Sequence, residues 1–250
     1  MIILNGVINE LEEKFRKIKE LGWIKGKDNC NNYQGILFEK LLGKPIENFE
    51  IPDFCGIEIK THIKSSNYPI TLFNANPDGP FISGVNYLCE NYGYPDAVLK
   101  EKKVFYGDVS ASRAQSIGNK YIFKVNVNNR ENKLKLIIYS HSGHLIDDKI
   151  FWNFDTLEQK LTRKISYLAF INAERKKFNG SFYYRYTGIN FYKLNNFNSF
   201  IKLIETGTIT ISFAIGVFRN GNRKGQIHNH GIAFRILEKD LCKLFIPYQY

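Results

Sequence analysis

The chain has 250 residues, of which 44% are hydrophobic, 15% aromatic and 24% charged. That composition excludes a mainly disordered, collagen-like or disulfide-dense protein and allows one large domain or two smaller lobes. Lysine and arginine outnumber aspartate and glutamate by 35 to 24, a formal net charge of +11, so the expected partner is a polyanion, nucleic acid ahead of an anionic membrane.

In chain order, Val7, Ile8, Leu11, Phe15, Ile18 and Leu21 recur at helical spacing, with Glu and Lys on the other face, and predict an amphipathic helix. A polar loop over 25–32 precedes a second predicted helix, Gly35 to Gly43, stopped by Gly43 and Pro45. Ile57 to Ile63 alternates with period two, and Pro69 to Phe73 is a short apolar run closed by Asn, Pro and Gly residues, so the two are expected to be neighbouring strands. A polar stretch over 106–120 reads as a loop. Tyr121 to Val127 and Leu134 to Tyr139 form a predicted hairpin, followed by a helix over 156–164 and a strand over 165–173. The last third is β-rich, with strands over 183–186, 208–218 and 231–237, one helix over 197–205 and a basic loop over 219–225. The class is α/β or α+β, in two lobes.

Cys30, Cys55, Cys89 and Cys242 stand far apart with no Cys-x-x-Cys pair, so neither a structural zinc site nor a disulfide framework is expected, and a reducing cytoplasm fits. No apolar run reaches the roughly 18–20 residues of a membrane span. The start, Met1 to Ile8, reads as neither a span nor a signal peptide.

The most informative stretch is Pro52-Asp53-Phe-Cys-Gly-Ile-Glu58-Ile-Lys60. Residues two apart on a strand share a face, about 6.5–7 Å from each other. Glu58, Lys60 and His62 then point one way while Ile57, Ile59 and Thr61 pack the other way. Asp53, just after a proline, can curl back toward Glu58. Two carboxylates beside a lysine suit a hard divalent cation and an activated water, the parts that phosphodiester hydrolysis needs. Gly35, Glu39 and Gly43 recur every four residues on one helical face, where the glycines would allow close approach to a sheet and bring a third carboxylate to the same metal. The competing reading is a solvated strand edge with a surface glutamate.

These blocks, Gly35-Ile-Leu-Phe-Glu39, Pro52-Asp53 through Glu58-Ile-Lys60, and Ile70-Thr-Leu-Phe73, resemble the MutH-like branch of the PD-(D/E)xK nucleases, and within it the MvaI/BcnI type II restriction endonucleases. The similarity continues through Phe154-Asp-Thr-Leu, Tyr167 to Glu174, and Lys224-Gly-Gln-Ile-His228-Asn-His230 to Arg235. The resemblance implies a mixed β-sheet core flanked by helices, with a β-rich recognition lobe; the catalytic lobe is expected over 1–105 and a mainly recognition lobe over 106–250, with the two lobes interleaved in the chain. It implies a cytoplasmic, prokaryotic, monomeric endonuclease that clamps double-stranded DNA and uses Mg²⁺, with Mn²⁺ able to substitute and Ca²⁺ binding without turnover. Asp53 and Glu58 would be metal ligands, Lys60 would act on the attacking water, and Glu39 would be a supporting carboxylate.

His228 and His230 are two apart, a spacing that could also hold a metal, but no third ligand is evident nearby. In the MvaI-like enzymes the matching His, His and Arg read the major groove, which implies base recognition by His228, His230 and Arg235. Where that pattern carries an acidic and a basic reader on the preceding strand, this chain has Ser212 and Ala214. The target is therefore expected to depart from the CC(A/T)GG type, although a CCWGG-related site remains open. His62, Arg113, Arg219, Arg223 and Lys224 are candidates for backbone or groove contacts. The alternatives are a MutH-like nicking or repair nuclease and a basic DNA-binding module without catalysis.

Overall fold

The protein is described by a computed structural model that covers residues 2–27, 33–43, 51–64, 66–80 and 83–249. Cys30, Pro45 and the later part of the loop over 25–32 lie outside these residues. The chain forms two compact units, one from Met1–Ile70, Thr162–Asn195 and Phe245–Tyr250, the other from Thr71–Leu161 and Asn196–Leu244.

Along the chain come α1 (Ile2–Glu20), β1 (Ile24–Lys25), α2 (Tyr33–Leu41), β2 (Ile57–Ile63), β3 (Ile70–Asn74), α3 (Gly84–Tyr92), β4 (Tyr94–Pro95), β5 (Lys103–Val109), β6 (Gln115–Ile117), β7 (Tyr121–Asn128), β8 (Lys133–Tyr139) and β9 (Leu145–Asn153). Next are α4 (Phe154–Ile165), β10 (Tyr167–Phe178), β11 (Ser181–Leu194), α5 (Phe197–Glu205), β12 (Ile209–Val217), β13 (Ile227–Ile236), α6 (Leu241–Leu244) and β14 (Phe245–Pro247). Among the described residues no helix is long and apolar enough to cross a membrane.

The first unit is one mixed sheet in the order β1-β11-β10-β2, with β14 also on β11. β2 runs parallel to β10, from Tyr167↔Ile57 to Ala173↔Ile63. A parallel pair needs a long crossover. Here the crossover contains most of the second unit. Ile8, Leu11, Phe15 and Ile18 of α1 and Leu37 and Phe38 of α2 share one core with Ile57, Ile59, Ala169, Ile171 and Tyr186 of the sheet. Leu21, placed on that apolar face by its spacing, lies beyond the end of α1 and is exposed.

The second unit holds two sheets, β3-β13-β12-β5-β4 and β6-β7-β8-β9. Aromatic rings fill its interior: Phe73 stacks on Phe234 at 5.0 Å, and Phe105 meets both Phe123 and Phe213 edge-on. Trp152 and Phe200 complete the cluster.

Four expectations are corrected. Ile57–Ile63 and Ile70–Asn74 are not neighbours, because β2 pairs with β10 and β3 with β13. The division does not fall at 105/106, since β10 must return to the first unit to pair with β2 while 71–105 packs into the second. The stretch 106–120 is not one loop: its first four residues are the end of β5, a short turn follows in which Ser110 Oγ accepts from Arg113 N at 3.2 Å, and Gln115–Ile117 form β6. Gly35 and Gly43 do not admit a close approach, because a Cβ at either would meet nothing within 4 Å. Instead α2 packs through Leu37 and Phe38, and Gly43 closes its end in a left-handed conformation with φ 76.

Candidate functional site

Phe54 and Ile57 exchange backbone hydrogen bonds of 2.8 Å around a two-residue turn, with Cys55 at φ 43 and Gly56 at φ 91. Both central residues are left-handed, the geometry that folds a chain tightly back on itself. The turn returns Asp53 to the start of β2, where its Oδ2 accepts from Ile59 N at 3.0 Å.

Glu58 points from β2 into the interior and is only 1% exposed. Its Oε1 accepts from Lys60 Nζ at 2.6 Å, as period-two spacing requires. Its Oε2 lies 2.9 Å from Nζ of Lys164 in an ion pair that is not aligned as a hydrogen bond. Lys164, in the last turn of α4, also donates to Ile51 O at 2.7 Å, which ties down the backbone just before Asp53. Burial pushes the Glu58 carboxyl above the usual range; Lys60 opposes the shift and the charge of Asp53 adds to it. Two ammonium groups thus offset the desolvation of one carboxylate beside a second.

Glu39 is half-buried on α2, which packs on β2. Among the described residues no three His, Cys, Asp or Glu side chains are grouped closely enough to hold a metal ion, so Glu39 does not complete a three-carboxylate cluster. His62 shares the face of Glu58 and Lys60 but is buried, 3.0 Å from Ser66 O through Nε2 and stacked with Phe170. That ring is engaged inside the first unit rather than presented at a groove. Lys164 was not legible as a site residue: its sequence position says only that it ends a helix.

The second cluster lies on the outer face of the sheet β3-β13-β12-β5-β4. Ile209, Ile211 and Phe213 of β12 pair with Ile236, Phe234 and Ile232 of β13 on the buried face. Thr210↔Arg235 and Ser212↔Ala233 therefore lie on the opposite face. A register shift between Phe213 and Ile215, opposite Gly231 at φ 121, inserts an extra residue in β13. The bulge changes the alternation and brings His228 and His230 to the same face as Arg235, five residues beyond His230.

His228 is sandwiched between Phe218, at 4.0 Å between ring centroids, and His230, at 3.8 Å. The Arg223 guanidinium covers the other side of Phe218 at 4.0 Å. Burial, His230 and Arg223 lower the pKa of His228, favouring the uncharged ring. A cavity of about 400 Å³ opens beside the stack, lined by Tyr106, Phe218, Arg219, His228 and His230 among others. Arg219 is held by Asp96, with Nη2 to Oδ2 at 2.8 Å and Nε to Oδ1 at 3.3 Å. This pair keeps the Asp96 carboxyl far below its usual range. Arg113 and Lys224 are exposed on loops.

The model of the MvaI/BcnI restriction endonuclease family matches residues 12–245. The structure is similar to that of a restriction endonuclease MvaI–cognate DNA substrate complex, with a TM-score of 0.88 and 32% identity over 95% of this chain and 96% of that one. It is also similar to MvaI in the absence of DNA, with a TM-score of 0.63 and 31% identity over 97% and 96% of the two chains. No curated protein matches the chain. With its mixed α/β architecture, its Asp53–Glu58–Lys60 cluster and this match over nearly its full length, the chain belongs to the MvaI/BcnI family of restriction endonucleases, which are site-specific DNA endonucleases.

Proposed function

We propose that the protein is a Mg²⁺-dependent type II enzyme that hydrolyses phosphodiester bonds within a short double-stranded DNA site, with the first unit cutting and the second reading. The observation that carries this reading is Glu58: a buried carboxylate bridged to Lys60 and Lys164, next to Asp53 folded back onto the same strand. Such a site is costly to desolvate and has no evident purpose in a purely binding module.

The residues fit a divalent cation. Asp53 and Glu58 supply hard oxygen donors, and Glu58 Oε2 is a buried oxygen without an aligned hydrogen bond. A bound Mg²⁺ would supply charge stabilisation at the phosphate and acidify water. Lys60, held at Glu58, would orient an attacking water and take part in its deprotonation. Glu39 is assigned a supporting role toward the same waters. Mn²⁺ should replace Mg²⁺, whereas Ca²⁺ should support binding without turnover.

His228, His230 and Arg235 are assigned to base reading, and Arg113, Arg223 and Lys224 to phosphates. Arg219 acts by fixing its loop through Asp96. The protein works as a monomer in the cytoplasm, on a site that is not solely CC(A/T)GG.

The test is cleavage of closed-circular plasmid with Mg²⁺, with EDTA, and by the Asp53→Ala, Glu58→Ala and Lys60→Ala variants. Linear fragments with Mg²⁺, none with EDTA, and losses of at least about a hundredfold for each variant are expected. Full activity in EDTA, or an active Lys60→Ala protein, would refute the assignment; persistent open circles would make it a nicking enzyme.

A further inference from the structure

The outer face of the second unit's sheet is a trough. Its floor is β12, whose outward residues are all small: Thr210, Ser212, Ala214 and Gly216. One wall is β13, with Arg235, His230 and His228. The other is β5, which pairs antiparallel with β12 so that Asp108 stands beside Ser212 and Tyr106 beside Ala214. Val109 and Phe105 of β5 are buried on the opposite face, while Asp108 and Tyr106 are exposed. A side chain at Gly216 would run into the Tyr106 hydroxyl, so the glycine lets Tyr106 lie across the floor toward the histidines.

Asp108 is the one acidic side chain among these outward positions of β5, β12 and β13. Among the described residues its carboxylate has neither a hydrogen bond nor an ion pair. Close to a phosphate backbone an unpaired carboxylate is repelled, so its presence on a DNA-reading face calls for a donor on the DNA. Major-groove donors are the exocyclic amines of cytosine and adenine. In an A·T pair the adenine amine is flanked by acceptors on both sides, its own N7 and thymine O4, which repel a carboxylate, whereas cytosine N4 has an acceptor, guanine O6, on one side only. Guanine and thymine offer only acceptor atoms on that edge.

Resting on the assignment of this face to base reading, we propose that Asp108 is a specificity-determining residue that accepts a hydrogen bond from a cytosine N4 amine. It supplies from β5 an acceptor that the small side chains of Ser212 and Ala214 cannot provide from β12. Arg235 and Asp108 lie two strands apart and two residues out of line. At about 4.8 Å per strand and 3.3 Å per residue, their backbones are on the order of 12 Å apart. They therefore read different base pairs.

The experiment uses duplexes carrying the mapped site in which each cytosine in turn is replaced by a pyrimidine analogue without the N4 amine. These are cut by the wild-type, Asp108→Asn, Asp108→Ala and Arg235→Ala proteins, with folding checked by circular dichroism. At one cytosine, loss of the amine should slow the wild type by about tenfold to a hundredfold and should cost Asp108→Ala nothing further. Arg235→Ala should retain that penalty and lose discrimination at another position. If the wild type cuts no specific site, the assignment of function fails. If it cuts a mapped site and Arg235→Ala relaxes it, but every amine penalty survives in Asp108→Ala, the inference about Asp108 alone is overturned.

Discussion

Replacing Lys164 by alanine removes one of the two cations on Glu58 and the donor to Ile51 O. Breaking a buried ion pair by deleting one partner costs about 3–5 kcal/mol. Lys60 still holds Oε1, and the Lys164 side chain is 19% exposed, so a smaller loss of about 2 kcal/mol is expected. For a chain of this size that lowers the unfolding midpoint by about 4–8 °C. Cleavage should fall further than stability explains, because the segment leading to Asp53 loses its anchor. The assay is thermal unfolding alongside single-turnover cleavage at a temperature where every variant is folded. Lys164→Arg should recover most of the stability and part of the rate, while Lys19→Ala, on the exposed end of α1, controls for loss of a charge alone. A Lys164→Ala protein that melts and cuts like the wild type, or one that matches Lys19→Ala in both, would refute the reasoning.

Gly231→Ala places a side chain at φ 121 with its Cβ about 3.1 Å from the Asn74 side chain, and should cost about 1–3 kcal/mol while lowering discrimination between the cognate site and its single-base variants. Arg235→Ala should leave cutting chemistry intact but lose about 1–3 kcal/mol of discrimination at one base pair, read by competitive cleavage of mixed duplexes. Asp96 has its pKa depressed by Arg219 and by the Leu99 and Val98 amides, so its contribution to stability is full above its unfolded value of about 3.9 and is lost as pH falls below it. The difference in melting temperature between wild type and Asp96→Asn should therefore shrink on acidification below about pH 4. A difference that does not vary with pH would show that the carboxylate's charge is not what holds the loop. Log affinity for DNA should fall with log salt by about 0.9 per phosphate contacted, and a flat response in a binding titration would point to another partner.

Local pattern was enough for the strand that carries Glu58 and Lys60. Alternation over Ile57 to Ile63 put Glu58 and Lys60 on one face, and the structure holds them 2.6 Å apart. Phe197 to Glu205 and the hairpin of β7 and β8 were equally legible, because a helix or a tight hairpin satisfies its own backbone nearby and leaves its period in the sequence. What lay beyond reach depended on residues distant in the chain. Lys164 reaches Glu58 only because β10, directly after α4, pairs in parallel with β2 across a crossover of about a hundred residues. The pairing of Asp108 with Ser212 likewise follows from β5 joining β12. The face that carries His228, His230 and Arg235 is the clearest case. Regular alternation would turn Arg235 away from His228 and His230, and one extra residue at Gly231 turns them the same way. Such a bulge is chosen by the partner strand and by Asn74 packed against the glycine, neither of which is visible in the run His228 to Arg235 itself.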